Sequence, residues 1–491
     1  MLFLLTVQWS FFILRKNKRI YSIFGVSFQH VLNMIKLIKE AFSGKPQDLT
    51  SGSIRRAVIL LAIPMVLEML WESLFAVVDV FFVAQIGVNA VATVGLTETV
   101  ITLVYSISIG LSMAATAMVA RRIGEKNPEA AAKVAGQALV LGVFVSVVLG
   151  ALGFWYAADI LRLMGGSEEL IEEGVGYTQI IFATNVVIML LFLLNAIFRG
   201  AGDAWLAMAS LMIANILNII LDPLLIFGIG PFPELGVKGA AVATSIGRGC
   251  GVLFQLIILF RGIGLVKVGI RHLAIDLGII KRMVNISIGG ISQWLIGSAS
   301  WIFMMRIVAI FGEAVVAGYT ISIRVIIFTI LPAWGVSNAA ATLVGQNLGA
   351  QKPERAEKSV WVTAFYNVVF LAFVGVGLFL FAPIIIGFFT DETEVIHAAV
   401  TSLRIFSLGY LFFAYGMVIS AAFNGAGDTR TPTMINFICF WLLEIPLAYL
   451  LAVNMGWGPS GVYWSVAISQ GVLAILAIYL FRKGKWKHTT V

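Results

Sequence analysis

Long apolar runs separated by short polar loops make up most of this chain. A helix needs roughly 20 apolar residues to cross a bilayer. In hydrocarbon every backbone polar group must be satisfied within its own segment, so each long run is read as a helix. The pattern predicts six spans over 57–86, 93–119, 134–157, 171–198, 205–229 and 239–260. Six more follow over 283–311, 318–345, 360–381, 400–423, 432–453 and 460–481. The expected fold is therefore an all-α polytopic membrane protein with twelve transmembrane helices.

The loops alternate in charge. One set carries Arg55, Arg56, Arg121, Arg122, Lys126, Lys133, Arg199 and Arg261, and continues through Lys352, Arg355, Lys358 and Arg430 to a basic tail. The other set, with stretches such as QIGVNA, GGSEELIEEG and TDETEVIHA, is neutral or acidic. Lys/Arg bias sets orientation, which puts the basic loops and both termini in the cytoplasm; the membrane expected is the plasma membrane. Residues 1–14 are apolar and precede RKNKR, but the run is short for a span and lacks a small-residue cleavage site, so it is not read as a signal peptide. Met34 opens MIKLIKEAF and is an alternative start.

A repeat underlies the twelve spans. Gly87 aligns with Gly312; Gly124, Pro128, Glu129, Ala131 and Lys133 align with Gly349, Pro353, Glu354, Ala356 and Lys358; RGAGD at 199–203 aligns with NGAGD at 424–428. All share one offset of 225 residues, and after a three-residue change Gly236 and Gly239 fall on Gly458 and Gly461. Loop Gly, Pro and charged residues at fixed spacing are not what chance similarity between apolar helices produces. Six helices per copy is even, so the copies are related by an axis along the membrane normal and form two lobes around a cleft. The expected division is a lead-in over 1–50, a first lobe over 51–265, and a second lobe with its tail over 266–491.

Composition narrows the function. The chain is 60% hydrophobic and 12% charged, against roughly 25% charged in soluble domains. The net charge of +8 sits in the loops, as orientation signals do, and nucleic-acid binding is excluded on that ground. Cys250 and Cys439 lie in apolar segments and imply neither a disulfide nor a metal framework. No G-x-x-x-x-G-K-[ST] motif is present, which argues against an ATP-driven pump. His30, His272, His397 and His488 are read as terminal or loop residues, so an embedded enzyme lacks its base or metal constellation.

Ionisable groups at membrane depth are costly and suggest function. Span 1 carries Glu68, Glu72 and Asp79 on one helix face; span 4 carries Asn195; span 5 carries Asn218 and Asp222 four apart; span 6 carries Thr244 and Arg248. Pro223 frees the carbonyl of Ile219. Carboxylates, amide oxygens and a hydroxyl suit a hard cation or a proton, and two close carboxylates in low dielectric cannot both stay charged unpaired. Asn195 serves equally well as a helix bridge, and Thr244 more often bonds to its own helix. Glu68, Glu72, Met65 and Met69 are candidates for an adaptable substrate cavity. Arg248 is deep enough to pair with a carboxylate, and Glu444 is the mid-span acid of the second half.

The paired RGAGD and NGAGD loops, the GVKGAAVAT opening of span 6 and the ARRIG loop resemble the multidrug and toxic compound extrusion (MATE) family, across roughly residues 50–482. The resemblance implies a secondary antiporter, expected as a monomer without a cofactor. It would export organic cations or amphiphiles in exchange for H⁺ or Na⁺. In the archaeal and DinF-like branch the first-lobe cation or proton site maps onto Asp79, Asn195, Asn218, Asp222 and Thr244, with all five residue types retained. NorM-like members add acids in spans 7 and 10. Here the span 7 position falls near Gly297, and span 10 has none from Tyr410 to Phe423. The alternative within the superfamily is a lipid-linked saccharide flippase, whose cavities are cationic and whose chains commonly have fourteen spans.

Overall fold

The structure is a computed structural model that describes residues 36–42, 44 and 48–491. The apolar stretch over 1–14 and Met34 lie outside the described residues.

The first lobe comprises span 1 (Ile54–Ala84), span 2 (Val88–Gly124), span 3 (Pro128–Trp155), span 4 (Glu168–Ala183 with Asn185–Ala201), span 5 (Ala204–Ile226) and span 6 (Val237–Arg261). The second comprises span 7 (Leu277–Val308), span 8 (Glu313–Gly349), span 9 (Pro353–Gly387), span 10 (Thr393–Leu408 with Tyr410–Ala426), span 11 (Arg430–Asn454) and span 12 (Pro459–Arg482). Ten are single helices with apolar windows long enough to cross a bilayer, and two bent pairs complete the twelve.

Local sequence sets the helix ends. Asn127 accepts from the Ala130 amide at 3.0 Å, with Pro128 in the first turn of span 3. Asp276 caps span 7 through the Ile279 amide at 3.1 Å and bonds Lys133 at 2.6 Å; that ammonium is the main cause holding its carboxyl below the ordinary range. Gly202 and Gly427, the second glycines of the paired GAGD loops, close spans 4 and 10 in the left-handed conformation at φ 97° and 88°.

Three expectations need correction. Spans 4 and 10 are not continuous: they bend by 41° at Thr184 and 55° at Gly409, positions 225 residues apart. At the first bend the Asn185 amide donates to the Ser146 and Phe182 carbonyls at 3.0 and 2.8 Å, tying the broken turn to span 3. Arg199, expected in a loop, is in the last turn of span 4 and mostly buried. His397 is helical, in the first half of span 10.

Span 11 winds as π-helix over Phe437–Glu444 and Leu450–Asn454, around Pro446, whose ring and missing N–H break the α ladder. The wide turns absorb one extra residue. Ala214 faces Gly247 as Cys439 faces Ser469, at an offset of 225 within the span; Leu225 faces Gly239 as Leu451 faces Gly461, at an offset of 226. The shift puts Glu444 in the place of Asn218.

The lobes meet in reciprocal contacts, the signature of a twofold relation. A Cβ on Gly124 would strike the Gln346 carbonyl, and one on Gly349 would strike that of Arg121, with each residue exchanged for its mate 225 positions away. Gly110 lies against the Ile291 amide and Gly335 against the Val66 amide, each at 2.8 Å from a built Cβ. Ala120 and Gly345 are themselves mates and face each other across the axis. Among the described residues, hydrogen bonds between the lobes all fall at the end carrying the basic loops. Thr342 and Gln346 bond the Arg199 and Gly200 carbonyls, both at 3.0 Å; Arg121 and Arg122 bond the Thr489 and Val491 carbonyls; Lys352 and Arg355 hold the segment before span 1. That end is closed.

Candidate functional site

The polar side chains of the first lobe fall into three groups stacked along its interior. Deepest toward the basic end, Glu68 is 1% exposed and pairs with Arg199 at 2.6 Å. Asn195 donates to the same Glu68 oxygen at 3.1 Å and accepts from Gln255 at 2.7 Å and Ser210 at 3.2 Å. Asn195 thus joins the buried ion pair rather than the Asn218–Asp222 pair. Met65 is fully buried against Gly335 of the second lobe, so neither it nor Glu68 faces an open cavity in this conformation.

The middle group is built on Arg248. Its guanidinium is 4% exposed, reaches Glu72 at 3.3 Å, lies 5.0 Å from the Phe75 ring and is beside the Tyr105 hydroxyl. The expected carboxylate partner is therefore Glu72, on the other side of the lobe's core. The buried guanidinium is held by a partly exposed carboxylate, a phenol hydroxyl and an aromatic face, which together offset the cost of desolvating its charge.

The third group lies toward the end with neutral and acidic loops. The Asn218 amide donates to Asp222 at 3.1 Å and to Thr244 at 3.2 Å. Asp222 is fully buried, and one of its oxygens and the Asn218 carbonyl oxygen have no hydrogen-bond partner. Asp79 is 7% exposed, with Asp222, Glu98 and Arg248 within electrostatic reach. Span 5 brings Asn218 and Asp222 onto one face because they are one turn apart, and Thr244 meets them because Gly247 lets span 6 approach the Asn218 backbone. Unsatisfied oxygens around paired carboxylates form a donor set for a proton or a hard cation.

Glu98 of span 2 was missed in the sequence. It stands one turn before Thr102, about three turns into span 2, and is exposed. Its nearness to Asp79 and Arg248 is tertiary, and its position in the apolar pattern does not signal it.

Comparison with known proteins fits this geometry. The sequence matches the MatE family over residues 64–224 and 286–450, one segment in each lobe. It is 29% identical to a probable multidrug resistance protein NorM of Thermotoga maritima, over 89% of this chain and 94% of that one. It is 25% identical to an FAD transporter of Shewanella oneidensis, over 89% of this chain and 96% of that one. The fold superposes with a TM-score of 0.85 and 26% identity on an outward-facing multidrug resistance MATE family transporter of the MOP superfamily, covering 91% of this chain and 99% of that one. A MOP superfamily transporter from Pyrococcus furiosus superposes with a TM-score of 0.84 at 26% identity, over 90% of this chain and 98% of that one. Two lobes related by a normal axis, an acidic first-lobe interior and matches in both halves identify the chain as a member of the MatE family of membrane transporters.

Proposed function

We propose that the protein is a multidrug efflux antiporter that expels organic cations or amphiphiles as H⁺ or Na⁺ runs inward, with the coupling ion held at Asp79 and Asp222. The carrying observation is the charge count inside the first lobe. Arg199 cancels Glu68 and Arg248 cancels Glu72, which leaves the buried Asp79 and Asp222 unbalanced, with Glu98 exposed nearby. An interior with excess carboxylate favours a cationic ligand and disfavours the anionic head of a lipid-linked saccharide. The positive-inside bias supports a cytoplasmic basic end, so the closed end faces the cytoplasm and the cleft faces outward.

Coupling follows from competition. Filling Asp79 and Asp222 with an ion removes the negative charge that retains the substrate, so ion and substrate exclude each other. The energetic limit is their differential affinity for the two conformations. Proteoliposomes loaded with a fluorescent organic cation test the reading under separately imposed Na⁺ and H⁺ gradients. One gradient should accelerate efflux; acceleration by neither would remove the antiport assignment.

A further inference from the structure

A cavity of about 620 Å³ opens at the end of the first lobe opposite the basic loops, lined by Asn89, Thr93, Glu173 and Lys238 and by the glycine turns at Gly87 and Gly236. Its place relative to the ion site is fixed by three spans. Ile86 and Gly87 follow span 1 after Gln85, seven and eight residues beyond Asp79; Gly236 caps span 6, eight residues before Thr244; Asp222 is four residues from the end of span 5. At about 1.5 Å per residue, the cavity lies about two helical turns above the oxygens of Asp79, Asp222 and Thr244.

The lining is polar where it points inward. Thr93 is 1% exposed and its hydroxyl has no hydrogen-bond partner, although Gly174 of span 4 packs directly on it. One turn deeper on the same two helices, the Thr97 and Thr178 hydroxyls bond each other at 2.8 Å. Beside Thr178, buried Tyr177 is within electrostatic reach of Asp79 and Glu98. At the rim the Asn89 amide donates to Glu173 at 3.2 Å, and Lys238 lies across Gly176. A buried hydroxyl left unsatisfied carries its desolvation penalty unless a ligand reaches it.

We propose that this cavity is the mouth through which a small monovalent cation reaches the Asp79–Asp222 site, separately from the cleft that carries the substrate. Glu173 and the oxygen of Asn89 draw the ion to the rim, and Thr93 offers it the first buried oxygen. Lys238 offsets the Glu173 charge, so the rim is close to neutral and passes the ion on rather than holding it, as conduction requires. Na⁺ and hydronium share this oxygen chemistry. The inference rests on the proposed ion site, and its test is separable from that reading.

Thr93→Cys and, at the exposed rim, Glu173→Cys are introduced in a Cys250→Ala, Cys439→Ala background and treated with a membrane-impermeant cationic thiol reagent from either face. Reagent applied at the face opposite the basic loops should slow gradient-driven efflux about tenfold, and leave gradient-free substrate exchange unchanged. Running the assay with Na⁺ alone and with H⁺ alone identifies which cation uses the mouth. Glu173→Gln should raise, and Lys238→Gln lower, the concentration of that ion giving half-maximal rate. Labelling without effect on driven efflux overturns the proposal, and so does equal loss of driven efflux and exchange, which would make the cavity a substrate route. Loss of ion dependence in Asp79→Asn is scored separately and judges the ion site alone.

Discussion

The two lobes share one backbone plan and differ in what they bury. At the offset of 225, the Glu68–Arg199 ion pair is replaced by Gln293 and Asn424, whose amides bond at 3.0 Å in the same geometry. Glu72 becomes Gly297, Asp79 becomes Met304, and Asn195 becomes Ser420. With the shift carried by span 11, Asp222 becomes Ala448, and at the offset of span 12, Thr244 becomes Val466 and Arg248 becomes Gln470. Glu444 is the acid that remains in the corresponding interior, bounded by apolar residues and Ser469. One scaffold thus folds either around several buried charged groups or, in the second lobe, around Glu444 among neutral ones. The charges of the first lobe are therefore not needed to make the fold, and their presence calls for a functional account.

That comparison is most exposed to transport measurements. Asp79→Asn or Asp222→Asn should cut gradient-driven efflux by about a hundredfold or more with the thermal transition preserved, because each removes a titratable charge at constant volume. Glu444→Gln should keep most of the transport. The reverse outcome, with Glu444→Gln inactive and Asp79→Asn active, would move the ion to the second lobe.

The buried pair offers a test of stability. Glu68→Gln alone strands Arg199 with its charge mostly desolvated and should cost about 3–5 kcal/mol. Adding Arg199→Asn installs the amide pair of the second lobe and should restore most of the loss, read as the midpoint of thermal unfolding in detergent. Failure of the double variant to recover would mean that the pair is not interchangeable with its counterpart.

A smaller effect is expected where the lobes touch. Gly124→Ala and Gly349→Ala each drive a methyl into the other lobe's backbone, which should cost about 1–3 kcal/mol in the closed arrangement. Reciprocity predicts similar costs and a similar rise in labelling of a Thr342→Cys reporter from the basic face. A large inequality between the two variants would show that the symmetry does not extend to the energetics.

Much of this was legible in the chain. Hydropathy locates the spans because lipid leaves the backbone no other solution, and the repeat is visible because turns demand Gly and Pro at fixed places. Asn218 and Asp222 were paired by helical spacing alone. The bends at Thr184 and Gly409 were not seen, since the apolar run continues through both and only side-chain ties such as that of Asn185 break the ladder. Arg199 was taken for a loop residue because it abuts a glycine turn, and its carboxylate is 131 positions away. Arg248 and Glu72 are 176 apart, a separation at which periodicity carries no information. The family resemblance groups Asn195 with Asp222, whereas its helix face directs it to Glu68, the helix-bridging role the sequence equally allows.

The contact on the pseudo-axis bears on descent. Ala120 meets its own mate, Gly345, and a Cβ there would come within 2.6 Å of the alanine methyl. In a dimer of two identical six-helix subunits, any residue at this point would face a copy of itself, and only glycine on both sides would fit the present spacing. With both copies in one chain that constraint is absent, and here one side holds alanine and the other glycine. The same freedom permits one half to carry Asp79 and Asp222 where the other has Met304 and Ala448, a division that two identical subunits cannot have.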